Sequence, residues 1–277
     1  MEVRTKYNIL ASFEKYTRKK DQHLSYPVHK SLMFHNEELG SRARDIAEWI
    51  REEGDFQDGM HVLDAGCGNG NTLFKLIEDI NITGTGISLS EEEIFLANKS
   101  LNRLSLQGSL SFKNRSYDIP WKENFERIIA IESLKHSNNL KRSISSLSSM
   151  LHEEGFLIIV EDTYACRDYP PGREWNILKK EWALHELYSL DDYLLAARES
   201  GLRIIKNIDL SDGVHFRPIR SLNRLIGIFH FFREICFLTN LKNLLGIFLA
   251  GFIFEKLYAL DYLKYRLLIF ENAEKYN

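Results

Sequence analysis

Short apolar runs alternate with stretches of helical periodicity through the middle of the chain. The strand-like runs cover 60–65, 82–88, 110–113, 127–132 and 156–161, and two more follow at 202–208 and 265–271. Runs with helical spacing lie between the first five strands, at 71–80, 90–105 and 138–151. Because strands that alternate with helices form parallel sheets, this pattern predicts an α/β fold with helices on both faces of the sheet.

Both ends of this alternating region are flanked by different patterns. Residues 1–59 are polar with helical spacing, including apolar positions at Ile9, Leu10 and Phe13 and a helix over 42–51. Two very apolar stretches, Leu225–Leu238 and Leu244–Leu260, precede the last strand. The predicted divisions are an N-terminal helical cap at 1–59, a core at 60–212, an apolar helical insertion at 213–262, and the last strand with the C-terminus at 263–277.

Composition excludes several classes of protein. The 277 residues are 44% apolar, which is enough for one large domain, and the net charge of −3 lacks the basic excess of a nucleic-acid binder. The cysteines, Cys67, Cys166 and Cys236, are odd in number and far apart, so we predict neither disulfides nor a metal site. This usage, with a charged N-terminal stretch that has no signal core, predicts a cytoplasmic protein.

The stretch His61–Gly70, HVLDAGCGNG, has the clearest pattern of a ligand-binding turn in the chain. An apolar strand runs into Asp64 and then three glycines at alternate positions, directly before a helical run. Glycine turns between a strand and a helix N-terminus bind polar cofactors, because glycine permits close backbone approach. A nicotinamide site needs G-x-G-x-x-G with a later acid. Here the pattern is D-x-G-x-G-x-G, with the acid first.

That order resembles motif I of the class I S-adenosylmethionine (SAM) methyltransferases. Further matching segments are GTGISLS at 84–90, NRSYDIPW at 114–121, FERIIAIESLKH at 125–136 and the passage 151–161. The resemblance covers roughly 40–210 and the final strand. It implies a Rossmann-like, seven-stranded, mostly parallel sheet with an antiparallel last strand. It also implies SAM as the cofactor and S-adenosylhomocysteine (SAH) as its product.

The resemblance also assigns the cofactor contacts. Asp64 corresponds to the acid near the methionine ammonium of SAM, and the backbone from Ala65 through Gly66 and Cys67 to Gly68 passes the amino-acid and ribose groups. Cys67 is expected to be a small filler there rather than a nucleophile.

Four further positions complete this set. Ser116 and Tyr117 match the pair that edges the adenine. Leu89 and Ile131 match positions that pack against the cofactor, and ordinary core packing is the alternative for both.

Ser88 departs from the general family pattern, in which Asp or Glu ends the second strand and binds both ribose hydroxyls. A serine hydroxyl cannot accept two charge-assisted hydrogen bonds, which leaves the ribose contact open. The same substitution occurs in the branch that contains tocopherol, sterol and cyclopropane-fatty-acid-type methyltransferases. Glu132 and His136, within E-S-x-x-H, also match this branch at the mouth of the substrate pocket. A loop-ordering carboxylate and a surface histidine are the alternatives.

Methyl transfer from a sulfonium depends on positioning and exclusion of water, without a covalent enzyme intermediate. A base is needed only where the acceptor loses a proton. His136 is the candidate base, since an ordinary histidine titrates near neutrality. Glu132 could orient it or stabilise a cationic intermediate. The resemblance thus implies a SAM-dependent methyltransferase with catalytic Glu132 and His136.

The two apolar stretches bear on the acceptor. Both are shorter than the ~20 apolar residues that span a bilayer. Three interpretations remain open: a helical lid over a lipophilic substrate, an interfacial segment that docks on a membrane, and a helix pair buried in a core or dimer contact. The first two favour an isoprenoid, sterol, quinone or fatty-acyl acceptor. His215, Arg217 and Arg220 either hold an anionic head group or form a solvent-exposed basic loop.

Two rival functions also remain open. The first is O- or N-methylation of a polar metabolite, with the insertion used for dimerisation. The second is a non-catalytic SAM-binding regulatory protein. The expected partner is a small hydrophobic acceptor rather than nucleic acid, and a peripheral membrane contact and a homodimer stay open.

Overall fold

The computed structural model describes residues 32–36, 40–104, 106, 109–165 and 172–273. Ile9, Leu10, Phe13 and Cys166 lie outside these residues. The strands are β1 (Leu32–Asn36), β2 (Gly40–Arg44), β3 (His61–Ala65), β4 (Thr83–Ser88), β5 (Leu110–Asn114), β6 (Phe125–Ile131), β7 (Leu151–Tyr164), β8 (Leu202–Asp209) and β9 (Leu263–Asn272). The α-helices of the described chain are α1 (Ile46–Glu53), α2 (Asn71–Asp79), α3 (Glu91–Leu104), α4 (Leu140–Ser148), α5 (Arg173–Glu181), α6 (Leu190–Glu199), α7 (Ile219–Ile235) and α8 (Thr239–Ala259).

A seven-stranded sheet in the order β5-β4-β3-β6-β7-β9-β8 forms the centre of the molecule. Strands β3 to β7 pair in parallel, and β9 lies antiparallel between β7 and β8. The predicted Rossmann-like sheet with an antiparallel last strand is therefore confirmed. The carboxyl ends of β3, β4 and β6 meet at one edge, where open α/β sheets bind ligands.

Helices cover both faces of the sheet, as predicted. Successive strand residues point to opposite faces, so Ile129 and Ile131 of β6 join one apolar cluster while Ile128 and Ala130 join the other. The first cluster takes its helical members from α1, α2, α3, α5, α7 and α8. The second takes them from α4 and α6.

The N-terminal segment differs from the prediction of helix throughout 1–59. Strands β1 and β2 form an antiparallel two-stranded sheet there, and β1 is bridged to the chain after β8 by Leu32 and Val214. The helix expected over 42–51 begins later, at Ile46, because the Asp45 carboxylate caps it by accepting the N–H of Ala47 at 3.0 Å.

The apolar insertion forms the antiparallel helices α7 and α8. Helix α8 buries Ala250, Ile253 and Leu257 in the first apolar cluster, whereas most of α7 is exposed. The rings of Phe229 and Phe252 join the two helices at a centroid distance of 5.0 Å. Among the described residues, no helix combines the length and apolarity needed to cross a bilayer.

Candidate active site

The glycine turn links β3 to α2 at the carboxyl edge of the sheet. The backbone N–H groups of Gly66 and Cys67 both donate to the carbonyl oxygen of Ile87, which ties the turn to β4. Gly66 has a φ of +98°, and a Cβ there would lie 2.5 Å from the Cβ of Ser133. This glycine is therefore required by backbone conformation and by packing against the loop after β6.

Gly68, with a φ of +53°, has less crowded surroundings than Gly66. The nearest atom to a Cβ added there is a carboxylate oxygen of Glu93, at 3.8 Å. The space beside the backbone of Gly68 is thus bordered by a buried carboxylate, a suitable wall for a polar ligand.

Asp64 is a buried carboxyl that lacks a full set of partners. Its side chain is 2% exposed, and Oδ2 has no hydrogen-bond partner among the residues that the structure describes. Burial raises the pKa of Asp64 to about 7. A buried acid without a partner is costly, so this position favours a cationic or hydrogen-bonding ligand.

Glu93 is a site residue that the sequence analysis missed. Glu93 lies in the first turn of α3, two residues after the helix begins at Glu91. In the structure its side chain is buried and accepts a hydrogen bond from Ser88 Oγ at 2.7 Å. A carboxylate therefore lies beside Ser88 at the end of β4, and it comes from α3 instead of from β4 itself. The signal in the sequence was Ser90 between the two residues. Its hydroxyl accepts the N–H of Glu93 at 3.2 Å and its own N–H donates to Ser88 Oγ at 3.1 Å, which holds the start of α3 beside the end of β4.

Cys67 is buried between these two acids. Burial first, then the charges of Asp64 and Glu93, raise the pKa of the Cys67 thiol well above its usual value. The thiol stays protonated at neutral pH, which agrees with the predicted filler role and not with a nucleophile.

The predicted adenine-side residues fall into two groups. Leu89 is 45% exposed, whereas Ile131 is buried in the first apolar cluster, and the cofactor contact of both stays a prediction. Ser116 and Tyr117 are half-buried in the loop after β5. The Tyr117 hydroxyl donates to the carbonyl of Ser133 at 3.2 Å, which joins this loop to the one after β6.

Glu132 and His136 lie in that loop. Glu132 has a φ of +49°, a strained conformation of the kind found at functional sites. Its carboxylate accepts from the Tyr265 hydroxyl at 2.9 Å and lies 3.4 Å from Lys135 Nζ. His136 is buried in the short 3₁₀ turn Leu134–His136, with Nδ1 3.4 Å from the carbonyl oxygen of Ala183. The catalytic roles of both remain predictions.

Lys135 forms a buried charge cluster that the sequence analysis did not identify. Its Nζ lies 2.7 Å from Asp162 and 3.3 Å from Glu161, both fully buried at the end of β7. Burial raises the pKa of Glu161 to about 7, while the Lys135 charge opposes this rise. The acidic pair at the end of an apolar strand was the available sequence signal.

Aromatic side chains of α8 and the chain after α5 cover this cluster. Lys135 Nζ lies 5.6 Å from the ring centroid of Phe254 and 5.7 Å from that of Trp182. These two rings stack at 4.7 Å, and the Tyr258 hydroxyl donates to Asp162. The carboxyl ends of β6 and β7 therefore meet an aromatic layer supplied by α8 of the insertion and by Trp182 after α5.

His215, Arg217 and Arg220 are exposed. Arg217 forms an ion pair with Glu255 and lies over the ring of Phe252 at 5.5 Å. These contacts favour the solvent-exposed basic loop over a head-group site at this cluster.

Comparisons with known proteins agree with this architecture. A family model described as a methyltransferase domain matches residues 38–207. An O-methyltransferase of Pyrenophora dematioidea is 29% identical over 167 residues, which are 58% of this chain and 60% of that protein. A sterol 24-C-methyltransferase of Gibberella zeae is 24% identical over 162 residues, 56% of this chain and 43% of that protein. The aligned segment thus spans less than two thirds of either relative.

Two solved structures share the whole fold. The cyclase SpnF has a TM-score of 0.72 at 18% identity, with 98% of this chain and 94% of that chain covered. A geranyl diphosphate methyltransferase in complex with geranyl diphosphate and sinefungin has a TM-score of 0.70 at 14% identity, with 97% of each chain covered. The resemblance inferred from the sequence is confirmed: the chain belongs to the methyltransferase-domain family and has the fold of the class I SAM methyltransferases.

Proposed function

We propose that this protein is a SAM-dependent methyltransferase with a small lipophilic acceptor. The observation that carries the proposal is the buried Asp64 carboxyl, whose unpartnered Oδ2 lies at the glycine turn. Asp64 pairs with the ammonium of the methionine moiety. A cationic ligand at this position lowers the pKa of Asp64 from about 7, so binding favours the carboxylate form.

Glu93 takes the ribose contact that the sequence analysis left open at Ser88. The Glu93 carboxylate can accept hydrogen bonds from ribose hydroxyls beside Gly68, while the Ser88 hydroxyl, 2.7 Å away, fixes its orientation. SAM supplies a methyl group on a sulfonium, which an acceptor atom attacks in line. The protein supplies orientation and exclusion of water, and His136 takes a proton where the acceptor has one to lose.

A lipophilic acceptor is supported by the aromatic layer of Trp182, Phe254 and Tyr258 at the carboxyl ends of β6 and β7. The sterol and geranyl diphosphate methyltransferases among the similar proteins act on isoprenoid compounds, which supports the same class. The proposal includes a reducing, cytoplasmic compartment, supported by the free thiols of Cys67 and Cys236.

A second candidate is O-methylation of a more polar metabolite, which the O-methyltransferase of Pyrenophora dematioidea supports. A panel of isoprenoid, sterol, quinone, fatty-acyl and polar hydroxyl acceptors, assayed with SAM by mass spectrometry, separates the two. We expect a product one methyl group heavier from the apolar members. Turnover restricted to polar members contradicts the proposed acceptor class.

Calorimetric titration with two ligands tests the cofactor site. SAH carries the amino-acid moiety and adenosine lacks it. Asp64→Asn should therefore lower the affinity for SAH by at least about tenfold and leave the affinity for adenosine unchanged. Glu93→Gln should lower the affinity for both ligands, because both carry the ribose. The exposed neighbour Glu91→Gln is the matched control and should change neither. Absence of SAH binding to the folded wild-type chain contradicts the proposal, as does unaltered SAH affinity in Asp64→Asn.

A further inference from the structure

The end of the α7–α8 hairpin carries an unusual density of exposed apolar side chains. We call residues 228–242 the α7–α8 tip. Phe237, between the helices, is 98% exposed. The other exposed apolar residues of the tip are Ile228, Phe231, Phe232, Ile235, Leu238 and Leu241. Seven exposed apolar side chains within fourteen consecutive residues mark an interaction surface.

Basic residues surround this tip. Residues 217–245 hold five Lys or Arg and one Glu, although the whole chain has a net charge of −3. Within the described chain, no ion pair is formed by Arg220, Arg224 or Lys242. Arg220 and Arg224 continue the exposed stripe of α7 that leads through Ile228 to the tip, because residues three or four apart share a helix face.

A basic cleft lies beside the tip, between α5, α7 and α8. Its cavity volume is about 340 Å³, and its lining residues are Lys180, Glu181, Arg233, Lys242 and Asn243. Helix α8 begins at the same place without a side-chain cap, since its N-cap residue is Leu238. Arg233 is paired with Glu181 and Glu234, so Lys180 and Lys242 supply the positive charge of the cleft. Together with the uncapped N–H groups of α8 these two lysines form a site for a phosphate group.

We infer that the α7–α8 tip docks on a lipid surface that contains anionic phospholipids. The apolar side chains enter the acyl boundary, and the cleft receives a head-group phosphate. The helical rise puts Arg224 about 16 Å from Ile235 along α7, so a tilted hairpin inserts its tip while Arg224 stays among the head groups.

Charge distinguishes a lipid surface from a second copy of the chain. A two-fold dimer through the tip would bring the same basic segment of both copies together, because such an interface is self-complementary. Like charges at an interface oppose association, whereas an anionic leaflet attracts them. The surface is separate from the cofactor turn, so this inference goes beyond methyl transfer.

Sedimentation of the full chain with vesicles tests the inference. We expect binding to vesicles of phosphatidylcholine with phosphatidylglycerol, weaker binding to phosphatidylcholine alone, and a decrease with added salt. Phe237→Asp should lower the partition coefficient by about tenfold or more. Arg224→Gln and Lys242→Gln should each lower it about fivefold. Leu195→Asp, at an exposed apolar position of α6, is the matched control and should bind as the wild type does.

Each contrary outcome has its own meaning. Absence of binding to both vesicle types, or equal binding by Phe237→Asp and the wild type, overturns the inference. A solution dimer that Phe237→Asp converts to monomer assigns the tip to a second copy and also overturns it. SAH titration of Phe237→Asp should match the wild type, which verifies folding and keeps this test independent of the cofactor site.

Discussion

Replacing Asp64 by asparagine should stabilise the ligand-free protein at alkaline pH while weakening cofactor binding. The pKa of Asp64 rises from 3.8 to about 7 on folding, so the folded state holds its proton longer than the unfolded state. Stability therefore falls as pH rises from about 4 to about 7, and levels off above that range. At about 1.4 kcal/mol per pKa unit, the full penalty approaches ~4 kcal/mol.

Between about pH 5 and about pH 8 this penalty grows by ~2.5 kcal/mol. The asparagine side chain of the variant does not titrate, so the variant does not incur this penalty. The difference in free energy of unfolding, variant minus wild type, should therefore rise by the same amount between the two pH values. The absolute gain is smaller than the penalty, because the buried amide also needs hydrogen-bond partners. Denaturant unfolding at both pH values, without ligand, measures the difference.

Saturating SAH provides the control for this experiment. It should raise the stability of the wild type at pH 8 and have much less effect on Asp64→Asn, because ligand stabilisation scales with affinity. A difference between variant and wild type that stays constant with pH would refute the assignment of a near-neutral pKa to Asp64.

The remaining predictions concern three other positions. Gly68→Val should lower SAH affinity by tenfold or more in calorimetry. A branched side chain at a φ of +53° is strained, and it enters the space beside Glu93. Unchanged affinity would place the ligand elsewhere. Lys135→Met should lower the free energy of unfolding by about 3–5 kcal/mol, because the buried carboxylates lose their cation. The loss should be larger at pH 8 than at pH 6, and a loss under ~1 kcal/mol in denaturant unfolding would contradict the prediction. His136→Ala should lower kcat about 100-fold on an acceptor that loses a proton, with SAH affinity unchanged; wild-type turnover at saturating acceptor removes His136 from the chemistry.

The sheet and the glycine turn could be predicted because their signals are local. Strands β3 to β6 are five to seven residues long and alternate with helical patterns, and the turn after Asp64 depends on glycines within a few residues of one another. Strand β7 is longer than predicted, because it pairs with β6 along one edge and with β9 along the other.

The missed features depend on contacts between distant parts of the chain. The Glu93 carboxylate reaches the glycine turn only because α3 starts at Glu91 and packs against β4. Lys135 meets Asp162 and Phe254, residues 27 and 119 positions later, so no spacing rule relates them. The β1–β2 sheet was mistaken for helix because its short strands lack a clear alternation of apolar and polar residues.

A crystal structure of the protein with SAH tests the central claim most directly. We predict the ligand's amino group within hydrogen-bond distance of Asp64 Oδ2 and its ribose hydroxyls within the same distance of the Glu93 carboxylate. A ligand bound away from the turn between Asp64 and Asn71, or bound there with its amino group facing solvent, would contradict the account.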